Sequence, residues 1–367
     1  MSDPLLYVGT FPRAYHSDTK DSAIGVYAYE VDASSGALTQ RGVTPALRAG
    51  WLTPDPERNV LYVVNEVTEI DGTPGGAVTA YARCHDGTLK LLNHRRTGGN
   101  PCHSALSPDR RELVVTTFHG GTVELFPLDE TGAFAGASSI IQHTGSSVHP
   151  RRQTSPHAHQ AVFDPSGRFL LAPDLGTDQV LVHAWTDGSL SERPELTVTM
   201  TPGSGPRHLA FQPEGNWVHV ITEMAATVET FAWDSTSGHL RHHDSTALLA
   251  PGFTGHRSAA ELLTHPAGRF VYATNRSHGS SGPPPAPGED SLVWLEWDGD
   301  RLHPRGRVRT GGAIPRTMTF DPAGRQLFVG HQGSSTIAVF DVDAESGVPT
   351  LTGTHKAPVP VCLQFMH

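Results

Sequence analysis

Cysteine is scarce: Cys84, Cys102 and Cys362 are the three in a chain of 367 residues. The odd count, with no Cys-x-x-Cys spacing, excludes a disulfide framework. Charge is thin as well, at 17% of residues, and the balance is −10 with histidine neutral. That sign argues against nucleic acid or an anionic membrane as a partner. An anionic ligand would need a local cluster of arginines working against it. No apolar run approaches the ~18 residues that span a bilayer. The start, MSDPLLYVGTF, runs into a strand pattern with no basic stretch or long apolar run before it, so no secretion signal is expected. These absences together point to a soluble chain in the cytoplasm.

Glycine and proline, by contrast, are plentiful, with Gly 38 and Pro 29. Many short strands joined by tight turns use them in this way. A repeat carries that pattern. A short apolar strand, a turn with proline and a second apolar strand recur in SALSPDRRELVVTTFHG, QAVFDPSGRFLLAPDLG, LAFQPEGNWVHVITEMA, ELLTHPAGRFVYATNRS and MTFDPAGRQLFVGHQGS, and more weakly in WLTPDPERNVLYVVNEV. The turn prolines Pro56, Pro108, Pro165, Pro213, Pro266 and Pro322 are spaced by 52, 57, 48, 53 and 56 residues. Periods of this length mark arrays. A second half-unit, alternating apolar and polar residues before an Asp or Gly turn, appears seven times, from GVYAYEVDASSGALT to IAVFDVDAESGVPTL. Such alternation belongs to hairpins with one face in a core.

The first unit lacks its first strand, and the carboxyl-terminal PVPVCLQF supplies a first strand with nothing after it. The two ends therefore complete one unit, and a ring closed in this way leaves no long sheet edge exposed. The expectation is an all-β, seven-bladed β-propeller of four-stranded blades, one domain over residues 1–367, with the carboxyl-terminal strand pairing into the amino-terminal blade. The Asp-Pro-x-Gly segments read as turns.

Aligning the units on the turn prolines compares positions around the ring. Six residues before the proline stand Gly50, Cys102, His159, Arg207, Ala260 and Arg316; five before it stand Trp51, His103, Gln160, His208, Glu261 and Thr317; ten after it stand Glu66, Phe118, Leu175, Glu223, Arg276 and Gln332. His159, Arg207, Glu223, Arg276 and Arg316 thus share one mouth of the channel. Arginines there can grip a carboxylate or phosphate. A carboxylate and an imidazole beside them can move protons. His157 lies two residues before His159, and His103 and His208 face either the channel or the blade interior. Asp174 caps a turn or holds a histidine in one tautomer. The loop of residues 136–157 brings His149, Arg151 and Arg152 towards the site as substrate contacts or as plain surface. The insert SHGSSGPPPAPGED, residues 277–290, follows Arg276 and reads as a flexible loop.

At these residues the sequence resembles the seven-bladed-propeller lactonase family, which includes propeller-type 6-phosphogluconolactonase and the fungal 3-carboxy-cis,cis-muconate lactonizing enzyme. The resemblance runs from YVGTF to PVCLQF and is most specific in PHAHQAVFDPSGRFLLAPDLGTDQV, GSGPRHLAFQPEGNWVHVITE and HPAGRFVYATNRS. It implies a metal-independent site of one histidine, two arginines and a glutamate: His159 (with His157 second), Arg207, Arg276 and Glu223. One departure is that AGWLTP stands where the family has Asn-Pro before a strand.

The resemblance implies hydrolysis of a sugar-acid lactone. Taken with the register and the loop, the residues then give Glu223 or His159 as base, with the other assisting ring opening, and His157, Arg316, His103, His208 and Arg152 as contacts to a small anionic substrate. Two alternatives are a muconate-type cycloisomerase acting on a carboxylate, and a propeller that only binds. No cofactor is expected. Nor is a metal: His157-x-His159 lacks a well-spaced third ligand, and a calcium centre on Asn65, Glu66, Glu223 and Asn275 would stand among repelling arginines.

Overall fold

The computed structural model describes residues 5–12, 23–192, 194–277 and 290–366. Seven sheets of antiparallel strands form the blades of a propeller. In blade 1, Leu5–Thr10, Gly25–Val31 and Leu38–Pro45 are joined by the carboxyl-terminal strand Pro360–Met366, which pairs with Leu5–Thr10 and lies innermost. The ring therefore closes as the unmatched chain ends require. Among the described residues the one helical turn is Pro194–Leu196, and no helix is long and apolar enough to cross a membrane.

The alternation in the sequence becomes packing between blades. Tyr7 from blade 1 and Leu52, Leu61 and Val63 from blade 2 share one buried cluster, and Leu171, Val182, Val218 and Phe231 join blades 4 and 5 in another. Truncating such a side chain to alanine costs roughly 2–5 kcal/mol. The Asp-Pro-x-Gly segments are the hairpin turns: Asp164 Oδ1 accepts the amides of Arg168 and Phe169, and Gly167 takes a φ of 69°, where a side chain would be strained.

Blade 4 departs from the regular unit. Its innermost strand is cut to Val162–Phe163, and residues nearer the mouth keep only a bridge of Ala158 to Asp174 and a hydrogen bond from His159 N to Pro173 O. Pro173 lies in the second strand, Phe169–Asp174, and has no N–H to give the ladder. The backbone that carries His157 and His159 therefore lies outside the regular ladder that its counterparts keep in the other blades.

Candidate active site

Two backbone features bring the proline-aligned positions together. First, the residue ten after each turn proline donates its amide to the carbonyl of the residue eight before it: Glu66 to Arg48, Phe118 to Asn100, Leu175 to His157, Glu223 to Gly205, Arg276 to Ser258 and Gln332 to Ile314, all within 2.7–3.0 Å. Second, the pairing register slips at the same height of the inner strand, between Ala49 and Trp51, Pro101 and His103, Pro206 and His208, Ala259 and Leu262, and Pro315 and Thr317. The extra residue of such a bulge is unpaired and its side chain is re-aimed. Arg207 and Arg316 occupy bulges and turn into a pocket of about 470 Å³ at the channel mouth.

Glu223 is the centre of that pocket. Its Oε1 lies 2.8 Å from Arg152 Nη2, and its Oε2 lies 3.0 Å from Arg276 Nη2 and 3.3 Å from Arg207 Nε. Burial would raise the Glu223 pKa, but the charges of Arg276, Arg152 and Arg207 outweigh it and hold the carboxyl well below the usual range. Arg207 is anchored from behind by the Ala260 carbonyl at 2.5 Å, and Arg276 by that of Ser258 at 3.1 Å. Burial, and after it the charge of Arg276, depress Arg207 to about 9, which leaves it cationic at neutral pH.

His159 is buried beside this cluster, and burial followed by the charge of Arg207 puts its pKa well below the ordinary value, so the ring is neutral. Its Nδ1 has no protein partner among the described residues. His157 also lines the pocket: its ring stacks on Phe118 with centroids 4.3 Å apart, and its Nδ1 lies 2.7 Å from the Phe118 carbonyl. Asp174 does both things foreseen for it, but not for these rings. Its Oδ1 accepts the amides of His157, Gly176 and Thr177, and its Oδ2 pairs with Nδ1 of His143 at 2.8 Å.

Arg152 and Arg316 line the pocket. His103 and His208 do not. Adjacent residues of an extended strand point to opposite faces, and these two, one place further along than the bulge, turn into the buried interior of the ring. There His208 Nδ1 meets Glu261 Oε1 at 2.6 Å, and the ring of His103 lies 6.0 Å from that of His208. Arginine only donates, so the 3.2 Å contact from Arg207 Nη1 makes His208 Nε2 the acceptor and Nδ1 the donor to Glu261. Burial raises Glu261 to about 7.

The loop before His157 contributes Arg151, Arg152 and Thr154 to the lining. His149 instead holds the loop: its Nδ1 accepts the amides of Arg151 and Arg152. Of the insert after Arg276, residues 278–289 lie outside the described residues. Its two ends are described: Asp290 Oδ1 accepts the amide of Ser277 at 2.8 Å.

Glu66 stood in the register and was weighed only as a calcium oxygen, not as a partner for an arginine. Its Oε2 lies 3.3 Å from Arg316 Nη2. Gln332 and Phe118 also line the pocket and were in the same register; Arg48 and His119 line it without any such signal. The four oxygens weighed for calcium are engaged otherwise. Asn65 Oδ1 accepts from Thr79, Asn275 Oδ1 from the Ser258 amide, and both glutamates face arginines. Among the described residues no three His, Cys, Asp or Glu side chains converge as a metal set.

The chain matches a family model over almost its whole length. The family description is "Lactonase, 7-bladed beta-propeller", over residues 5–365, and the chain belongs to that family. It is 30% identical to the 6-phosphogluconolactonase of Bacillus subtilis over 100% of this chain and 99% of the relative. It is 27% identical to the 6-phosphogluconolactonase of Formosa agariphila, over 93% of each chain. Among solved structures, the periplasmic gluconolactonase of Pseudomonas aeruginosa superimposes with a TM-score of 0.89 at 30% identity, covering 100% of this chain and 99% of that one.

Proposed function

We propose that this protein is a metal-independent lactonase that opens a sugar-acid lactone, with the residues around Glu223 as its active site. The observation that carries the reading is the three-arginine clamp on Glu223 in the same pocket as the neutral, buried imidazole of His159. Arg207 and Arg276 polarise the lactone carbonyl and stabilise the oxyanion as it forms, the role in which fixed cationic donors lower a barrier most. His159 takes a proton from the attacking water. When the tetrahedral intermediate collapses, the C–O bond of the ring breaks and the departing ring oxygen receives that proton from the imidazolium. Glu223, with both oxygens engaged and its basicity suppressed, holds the arginines in place and is not the base. Arg152, Arg316 and His157 contact the substrate.

The names of the relatives support a gluconolactone or its 6-phosphate as substrate. The three cysteines, none in a disulfide, support a cytoplasmic setting. The test is acid release from 6-phosphogluconolactone by wild type and His159→Asn, corrected for spontaneous opening. The expected result is a wild-type rate far above background and a drop of about 10²–10⁴ in the variant. A wild-type rate equal to background overturns the proposal.

A further inference from the structure

Gln332 is 1% exposed, lines the pocket, and has neither its Oε1 nor its Nε2 hydrogen-bonded by protein among the described residues. Buried amides are almost always paired, so an unpaired one in the wall of a cavity is completed by what enters that cavity, a water or a ligand that replaces it. It stands at the position that carries Glu66 and Glu223 in other blades, with the same backbone bond, here from Gln332 N to Ile314 O at 3.0 Å.

The backbone around it is held at a cost. Ile314 has a φ of 60°, a conformation that β-branched residues avoid. It is kept there by a hydrogen bond from its amide to Asp290 Oδ2 at 3.1 Å and by the bond from Gly333 N to Ala313 O. Gly333 leaves no space to relax, since a Cβ there would lie 2.8 Å from the Ile314 side chain. Arg48, Asn100 and Gly205 hold the same place in their blades at positive φ, so it is this recurrent turn, occupied here by a β-branched residue, that presents Gln332 at the mouth.

We propose that Gln332 reads the hydroxyl groups of the ligand and so makes the pocket selective for a polyhydroxylated ring; this rests on the lactonase reading above. A carboxamide offers one acceptor and one donor group side by side, and only a partner with both satisfies it. Hydroxyls have both. A carboxylate, a phosphate or a ring ether only accepts and leaves Oε1 unpaired. The charged side chains of this corner engage one another, Arg316 with Glu66 Oε2 at 3.3 Å and Arg48 with the Glu66 carbonyl at 2.8 Å, so the neutral amide is the group suited to an uncharged polar part of the ligand.

The test compares wild type with Gln332→Met, which keeps the length and removes both polar atoms. Their kcat/KM is measured on glucono-δ-lactone and on δ-valerolactone, the same six-membered ring without hydroxyls, together with their melting temperatures. A site built to hydrogen-bond a hydroxyl loses selectivity steeply when the partner is removed. The variant is expected to lose about tenfold or more on glucono-δ-lactone, to change less than about twofold on δ-valerolactone, and to melt no lower than wild type. Equal losses on both substrates, no loss on either, or melting lowered by more than about 5 °C overturns the proposal; the last would mean that the amide holds the fold. Should wild type open neither lactone, the lactonase reading fails, and calorimetric binding of D-gluconate decides the role of Gln332 separately. Binding weakened at least about tenfold in the variant supports it; equal binding, or none to wild type, overturns it.

Discussion

Arg316 Nη2 lies 3.3 Å from Glu66 Oε2, so that blade 7 grips blade 2 across the mouth of the blade between them. Phe11 of that intervening blade lies under both Arg316 and Arg48, with their guanidinium carbons 5.4 and 4.0 Å from its ring centre. Gly50 leaves the space for Glu66: a Cβ at Gly50 would lie 2.5 Å from Glu66 Oε2 and 2.7 Å from Glu66 Cβ. Gly50→Ala should therefore displace Glu66 and uncouple Arg316. The expected outcome is a loss of kcat/KM on the lactone of about tenfold to a hundredfold. Steady-state kinetics of the purified variant check it, and an unchanged kcat/KM would show that this pair does not position substrate.

The pH dependence follows from His159. Burial and the charge of Arg207 depress its pKa far under the ordinary 6.5, so the imidazole is the base form throughout the neutral range. After subtraction of the spontaneous rate, kcat/KM should be flat from about pH 6 to 8 and should fall only in more acidic solution. A limb with a midpoint near 6.5 would mean a solvated histidine, or a different base.

Glu261 makes a stability prediction with a definite sign. Burial raises its pKa from 4.5 to about 7. The folded state therefore holds the proton more tightly than the unfolded state, and the contribution is full below about pH 4.5 and lost as pH rises through 7. Glu261→Gln keeps an acceptor for His208 and cannot ionise. Wild type should lose on the order of 1–3 kcal/mol relative to the variant between pH 5 and 8. Urea unfolding of both proteins at the two pH values measures it; parallel profiles would contradict the assignment.

Asp174 is a structural clamp and not a reacting group. Asp174→Ala leaves three buried amides and the His143 ring without their acceptor, and should cost about 3 kcal/mol or more. Asp174→Asn keeps an acceptor oxygen and should recover most of the activity. Chemical denaturation and lactone kinetics on both variants separate the roles, since a carboxylate needed for chemistry would not be rescued by asparagine.

The fold was legible because each blade repeats the same turn and because the ends of the chain were unmatched. The gathering of the candidate residues at one mouth was legible for a related reason. Glu223, Arg276, Arg207 and Arg316 sit at fixed distances from a turn proline because one backbone hydrogen bond and one bulge recur in the blades that carry them. His103 and His208 were offered as substrate contacts by the same count, but a one-residue step along a strand reverses the side chain, and no sequence count reveals which side a bulge favours. The pairing of Glu66 with a residue 250 positions away is a product of ring closure and has no local signature. The Asn-Pro missing near residue 49 is explained by conformation. Asn100, Gly205 and Ile314 enter inner strands at positive φ ahead of proline, and Arg48 takes that role at a φ of 39° with no proline after it.

The central claim, a metal-free lactonase whose catalytic arginines are held in place by Glu223, is tested most directly by 6-phosphogluconolactone hydrolysis in excess EDTA by wild type, Glu223→Gln and Arg276→Ala. The account expects wild-type activity undiminished by the chelator and a loss of about 10²–10³ in each variant. Activity abolished by EDTA, or retained in both variants, would contradict it.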